Sequence, residues 1–218
     1  MYFASRVQAG RMLAAKLVDK YRYENCAVVA LGDGGVVVGA QIAAQLHCVL
    51  MMLQSEEITL PRETTAIGGM TEGGSFSFNH AFSQGEIDEA VSEYHEYIEQ
   101  EKLAHFHHMN TLVGSGGSMS PDLLRGHTVI LVSDGLRSPF PLDMAMGFLK
   151  PIAIDRLVMA TPIASVQAID RMHILADEIC CLDVVAECME IPHYYEAQDI
   201  PEHAKIISTL EQIILQWK

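Results

Sequence analysis

The sequence predicts an α/β protein: a doubly wound, mostly parallel sheet of about five strands flanked by helices, with a small hood or hairpin insertion and a long helix. Three observations carry that expectation. Short apolar runs of strand length recur at Cys26 to Leu31, His47 to Leu53, Thr128 to Val132, Arg156 to Thr161 and Glu178 to Asp183. Stretches with apolar residues at helical spacing separate most of them. The 218 residues, half of them apolar, suffice for one sizeable core, so a single domain over 1–218 is expected.

In chain order, Ser5 to Tyr21 places Val7, Met12, Leu13, Leu17 and Val18 near helical spacing, with Arg6, Arg11, Lys16 and Lys20 between them, and reads as an amphipathic helix. Cys26 to Leu31 is a strand, the GDGG of Gly32 to Gly35 a turn, Val36 to Leu46 a helix and His47 to Leu53 the next strand. Such a βαβ unit crosses over right-handed, which makes its strands parallel neighbours. Residues 54–122 then form an insertion. Within it, Gln54 to Asn79 is rich in Thr, Gly and Ser and predicts a loop and a small antiparallel hairpin turned by Gly68, Gly69, Gly73 and Gly74. Ser83 to Met109 predicts a long polar helix, with Ser83 and Glu86 as a capping box and Ile87, Val91, Tyr94 and Ile98 as its apolar stripe. Gly114 to Pro121 has the composition of a flexible loop. A helix through about Leu149, a helix around Ser165 to His173 and a terminal helix from near Pro201 complete the alternation.

The formal net charge of -14 at pH 7 opposes association with phosphate backbones and anionic membrane surfaces, so neither nucleic acid nor a membrane is expected as a partner. No apolar run approaches the roughly 20 residues that span a bilayer, and Met1 to Ala9 lacks a secretory layout, so a cytoplasmic location is expected. The five cysteines form no CxxC pair. Cys26, Cys180 and Cys181 fall in apolar runs, where cysteine acts as a small buried hydrophobe.

The stretch TVILVSDGLRSPFPLD, Thr128 to Asp143, is the main candidate site, because a buried strand ending in a carboxylate and glycine before a helix is where open α/β sheets hold ligands. The candidate ligand-binding residues are Ser133, Asp134, Gly135, Arg137 and Ser138, with Asp33, Gly34 and Gly35 from the earlier turn. Ser138 followed by Pro139 also reads as a helix N-cap and first position. Asp33, Asp134, Glu56 and Glu57 are hard oxygen donors that could hold a divalent cation if they meet. His105 and His108 share a helix face, near His95 and His107, but no zinc-ligand spacing completes them. GxGxxG and GxSxG are both absent, which leaves dinucleotide-binding and nucleophile-elbow readings without support.

AGRMLAAKL at Ala9 to Leu17, VVALGDGGVVVGAQIA at Val28 to Ala43, AIGGMTEGG at Ala66 to Gly74, LLRGHTVILVSDGL at Leu123 to Leu136 and the late ATPIAS, ADEICCL and YYEAQDI segments together resemble the phosphoribosyltransferase family over nearly the whole chain. The resemblance implies a parallel sheet with a hood over its carboxyl edge. It also implies, for an active member, phosphoribosyl pyrophosphate and magnesium as substrate and cofactor. The family motif has two adjacent acids for the ribose hydroxyls and then a small, Thr, Gly, small, Thr cradle for the 5'-phosphate. Here Ser133 replaces the first acid, Asp134 remains, and Arg137, Ser138, Pro139, Phe140 and Pro141 replace the cradle. Two prolines remove amide donors and Asp143 opposes a phosphate at the helix start. Asp33 stands where the family carries arginine, and Gln-Ser-Glu-Glu at Gln54 to Glu57 where it offers Arg-Lys.

These departures predict a phosphoribosyltransferase-like protein that has lost phosphoribosyl pyrophosphate binding and acts as a non-catalytic binding, regulatory or assembly protein. It is expected as a homodimer with a small anionic or nucleotide-like ligand and no certain cofactor. The alternative is an active transferase with an atypical site, Asp134 holding the ribose, Arg137 replacing the cradle and Mg as cofactor. A metal-dependent binding module is the second alternative.

Overall fold

The computed structural model describes residues 1–113 and 121–215. The expected flexible loop, Gly114 to Pro121, lies outside the described residues except for Pro121. Five parallel strands form the main sheet: β1 (Cys26–Leu31), β2 (Val49–Leu53), β6 (Thr128–Val132), β7 (Arg156–Ser165) and β8 (Glu178–Val185), in the order β2-β1-β6-β7-β8. A second, antiparallel sheet has the order β3 (Ser55–Thr59), β4 (Ala66–Thr71), β5 (Phe76–Phe78).

Alternation along the strands feeds two core layers. Val28 and Ala30 of β1 face α1 (Arg6–Tyr21), α2 (Gly32–Leu46) and α6 (His203–Leu215) through Leu13, Leu17, Val38, Ile42 and Ile206. Ala27 and Val29 face α4 (Phe140–Leu149) and α5 (Val166–Leu175) through Leu142, Ala145, Ala168 and Met172. Both faces of the sheet are therefore covered, as a parallel sheet requires. No described helix is long and apolar enough to cross a membrane.

Local chemistry explains the helix starts. The Ser5 side chain accepts from the Gln8 amide at the head of α1, and Ser83 exchanges hydrogen bonds with Glu86 at the head of α3 (Gln84–Val113), the expected capping box. The α3 stripe also packs as its spacing predicts, Ile87 and Ile98 meeting Ile58 and Ile67 of the small sheet. At Tyr94 (φ -113°, ψ 23°) the helix departs from helical geometry.

Four sequence expectations are corrected. The GDGG segment is the first turn of α2 rather than a turn before it, entered through Gly32 at φ 63°. Among the described residues the insertion holds three strands, and Gly68 and Gly69 lie inside β4 instead of turning a hairpin. A Cβ on Gly69 would sit 2.6 Å from Met144 Sδ and one on Gly68 2.4 Å from Phe76 Cζ, so Gly69 lets β4 approach α4 and Gly68 makes room for the Phe76 ring of β5. Ser138 does not cap α4; the cap position is Pro139, whose carbonyl accepts from Leu142 and Asp143. Arg6, read among the charges between apolar residues of α1, is 1% exposed.

The small sheet meets α4 where Phe140 and Met144 pack on Ala66, with Phe140 fully buried. Phe140→Ala is expected to lower stability by about 3–5 kcal/mol through the cavity it leaves. Denaturant unfolding followed by circular dichroism measures this, and a loss below about 1 kcal/mol, ordinary for a surface position, would contradict the packing role.

Candidate functional site

The carboxyl ends of β1 and β6 are where the strand order reverses, the switch point at which open sheets hold ligands. Here that crevice is filled from within. The Asp134 carboxylate lies so close to the first turn of α2 that a Cβ on Gly34 would sit 2.2 Å from its Oδ2. The same Oδ2 accepts from Arg6 Nε at 2.7 Å, and Arg6 Nη1 lies 3.5 Å from Asp199 Oδ1. Asp199 also accepts from the Arg6 and Val7 amides, closing the head of α1. The Arg6 guanidinium stacks 4.3 Å from the centroid of the Tyr195 ring, and the Tyr195 hydroxyl donates to the Asp134 carbonyl at 2.5 Å.

Burial pushes the Asp134 carboxyl up from its ordinary value, while the Arg6 hydrogen bond and charge pull it down and Asp199 adds to the rise. Burial, with the neighbouring Asp134 charge, likewise raises the Tyr195 phenol. Backbone bonds between Phe3 and residues Tyr194 and Glu196 tie the segment before α1 to the one that carries Tyr195.

The rest of the turn is closed in a similar way. The Ser133 hydroxyl donates to the Gly135 carbonyl at 2.9 Å and accepts from its amide at 3.2 Å. Leu136 donates to Ile163 and accepts from Ser165, which binds the turn to β7. A Cβ on Gly135 would stand 2.5 Å from Ile191 Cδ1 and 3.1 Å from Ile163 Cγ2. The face of Gly135 is thus packed by apolar side chains.

A cavity of about 770 Å³ opens beside this turn, toward the small sheet. Gly135, Arg137 and Ser138 line it together with Glu57, Asp143 and Arg171. Asp33, Gly34, Gly35, Ser133, Asp134 and Glu56 are not among its lining residues. Arg137 Nη1 bonds Glu190 Oε1 at 2.5 Å, and Arg171 Nε and Nη2 both bond Asp143 Oδ1, at 2.7 and 2.6 Å. Glu57 is exposed, yet partial desolvation by its neighbours raises its carboxyl, and the charge of Arg137 opposes the rise.

The magnesium that the family resemblance implies needs several oxygen donors around one point. The four carboxylates proposed for it are separately engaged or apart: Asp33 with His203 Nδ1 at 2.9 Å, Asp134 with Arg6, Glu56 with His105 and His108 at 3.3 and 2.5 Å, and Glu57 in the cavity. They do not fit a common ion. The same contacts give the α3 histidines a partner in β3, and among the described residues no group of three or more His, Cys, Asp or Glu could hold a metal.

The chain matches no family model. It is 28% identical over 184 residues to two Mycobacterium tuberculosis proteins that carry a provisional phosphoribosyl transferase name, covering 83% of this chain and 40% of theirs. It therefore spans about two fifths of the length of the curated relatives it matches. The crystal structure of TT1426 from Thermus thermophilus superposes with a TM-score of 0.71 at 23% identity, over 100% of this chain and 99% of that one. The fold is that of a type I phosphoribosyltransferase. A hypothetical protein from Neisseria gonorrhoeae with bound ppGpp superposes at a TM-score of 0.50 and 13% identity, covering 95% of each chain.

Sequence reasoning missed Arg6, Tyr195 and Asp199, which hold Asp134, and Arg171, which lines the cavity. One signal was present: an arginine in the first turn of a helix opposes the dipole and calls for an anionic partner. Replacing Arg6 with Met strands a buried carboxylate and is expected to cost about 3–5 kcal/mol near pH 8. A carboxyl raised in the folded state penalises folding above the ordinary carboxylate range, and the penalty shrinks as pH falls through the folded pKa toward the unfolded one. Denaturant midpoints of R6M and the native chain should therefore lie closer at pH 5 than at pH 8; a gap that is constant or widens on acidification contradicts the assignment.

Proposed function

We propose that this protein keeps the phosphoribosyltransferase fold without phosphoribosyl pyrophosphate binding, and serves as a non-catalytic binding, regulatory or assembly protein. The observation that supports this reading is the state of the turn after β6. The Asp134 carboxylate bonds Arg6 instead of facing the cavity, and Ile191 covers Gly135. A ribose hydroxyl would have to compete with a buried guanidinium for that carboxylate, and a 5'-phosphate would have to displace a packed isoleucine.

Charge points the same way. Asp33 bonds His203 where a pyrophosphate would call for cations, and the molecule as a whole carries -14. Ser138 and Pro139 leave the head of α4 without a side-chain cap, and Pro139 and Pro141 supply no amide for an anion. The reading retains the expected cytoplasmic homodimer. Exposed Val166 and Ile174 on α5 and Val184 on β8 are compatible with a covered surface there.

One observation favours the enzymatic alternative: Gly135, Arg137 and Ser138 share a cavity with Glu57 and Gln167. In that reading Arg137 would hold the anionic end of an atypical substrate. It requires Asp134→Asn to abolish activity on a panel of nucleobases and phosphosugars.

Titration calorimetry with phosphoribosyl pyrophosphate and magnesium separates the two. The non-catalytic reading predicts no saturable heat at submillimolar ligand. Micromolar binding would overturn it.

A further inference from the structure

We propose that the cavity beside the Gly135 to Pro141 turn binds a small zwitterion, its anionic group on Arg137 and its cationic group on Glu57. The inference rests on the reading that the neighbouring phosphoribosyl pyrophosphate site is closed. Its volume of about 770 Å³ falls within the range of small-molecule sites.

The charges on the wall select the ligand class. Two carboxylates, Glu57 and Asp143, and two guanidinium groups, Arg137 and Arg171, line the cavity. Arg171 is committed, because its Nε and Nη2 both bond one oxygen of Asp143, a side chain only 8% exposed. That pair closes one wall and offers no net charge. Arg137 is differently placed. Its partner Glu190 is 75% exposed, and an ion pair between two exposed groups contributes about 0–1 kcal/mol, so a ligand carboxylate can exchange with it.

Glu57 accepts no hydrogen bond and forms no ion pair among the described residues, although the field of Arg137 reaches it. The same field reaches Cys188, another lining residue, where burial raises the thiol. Arg137 shares the cavity wall with Glu57 of the small sheet and with Cys188 and Ile191.

A polyanion in this space would meet one exchangeable cation, a facing carboxylate and a molecule of net charge -14. A simple cation would be opposed by Arg137. A molecule with one group of each sign satisfies both. The planar guanidinium favours a carboxylate, which it can grip through two donors, and an ammonium group suits Glu57. Asn79 does not compete for the ligand: its Nδ2 donates to the Ala66 carbonyl and its Oδ1 accepts from the Ala81 amide, which holds the wall in place. Pro139 and Ile191 supply apolar surface beside the charged groups.

The test uses the full chain with the standard L-amino acids and their glycyl dipeptides at millimolar concentration. Thermal shift comes first and calorimetry follows on any that stabilise. At least one of these zwitterions is expected to bind saturably, and its N-acetyl and C-terminal amide forms to bind about tenfold more weakly or worse, since each lacks one charge-assisted contact. Arg137→Met and Glu57→Gln should each weaken binding by a similar factor while circular dichroism stays native. The proposal is overturned if none of the zwitterions binds, if the blocked forms bind as well as the parent, or if both variants bind unchanged. Phosphoribosyl pyrophosphate with magnesium is titrated in parallel: binding there overturns the preceding functional reading, whereas failure of both ligand types overturns the zwitterion assignment alone.

Discussion

The bond from Arg6 to Asp134 is the contact on which the arrangement around the sheet's carboxyl edge depends. It joins the first turn of α1 to the end of β6, and through Asp199 and Tyr195 it draws in a segment nearly two hundred residues later in the chain. Arg6 is 1% exposed and the Asp134 side chain 17%, so neither charge is well hydrated and each requires the other. Gly34 is needed for the same reason, since any side chain there would strike the carboxylate. The network makes the switch point of the sheet a solid junction, with Arg6 taking the position at Asp134 that a ligand could otherwise contest.

This junction moves the accessible space of the protein. The turn from Ser133 to Leu136 is bonded to itself and to β7, and Ile163 and Ile191 cover its glycine. What stays open lies a few residues further on, between Arg137 and the small sheet, in a cavity that Asp134 does not line. The chemistry available there is that of exchangeable ionic contacts and hydrogen bonds.

The parallel sheet was legible because its signals are local: apolar runs of strand length at Cys26, Thr128 and Arg156, and a Ser83–Glu86 capping box that formed as its spacing indicated. The small sheet was only half legible. Gly68 and Gly69 read as turn residues, yet they lie in a strand, with Phe76 of β5 over Gly68 and Met144 of α4 over Gly69, contacts that no local pattern encodes. Ser138 was misplaced by one residue, since Pro139 itself takes the cap position. The site was legible in composition and not in geometry. Ser133, Asp134 and Gly135 were correctly found at a strand end, but which way the carboxylate turns was decided by Arg6, more than a hundred residues away and hidden among the basic residues of an amphipathic helix. Likewise, Asp33, Glu56, Glu57 and Asp134 share an edge in sequence terms, while histidines and an arginine from α1, α3 and α6 separate them in space.

The most direct test of this account is a crystal structure obtained with ribose 5-phosphate and magnesium at saturating concentration. Asp134 is expected to stay bonded to Arg6 and Ile191 to stay against Gly135, with no sugar phosphate on the Ser133 to Pro141 turn. Density for ribose hydroxyls on the Asp134 carboxylate, with Arg6 released and Ile191 displaced, would contradict it.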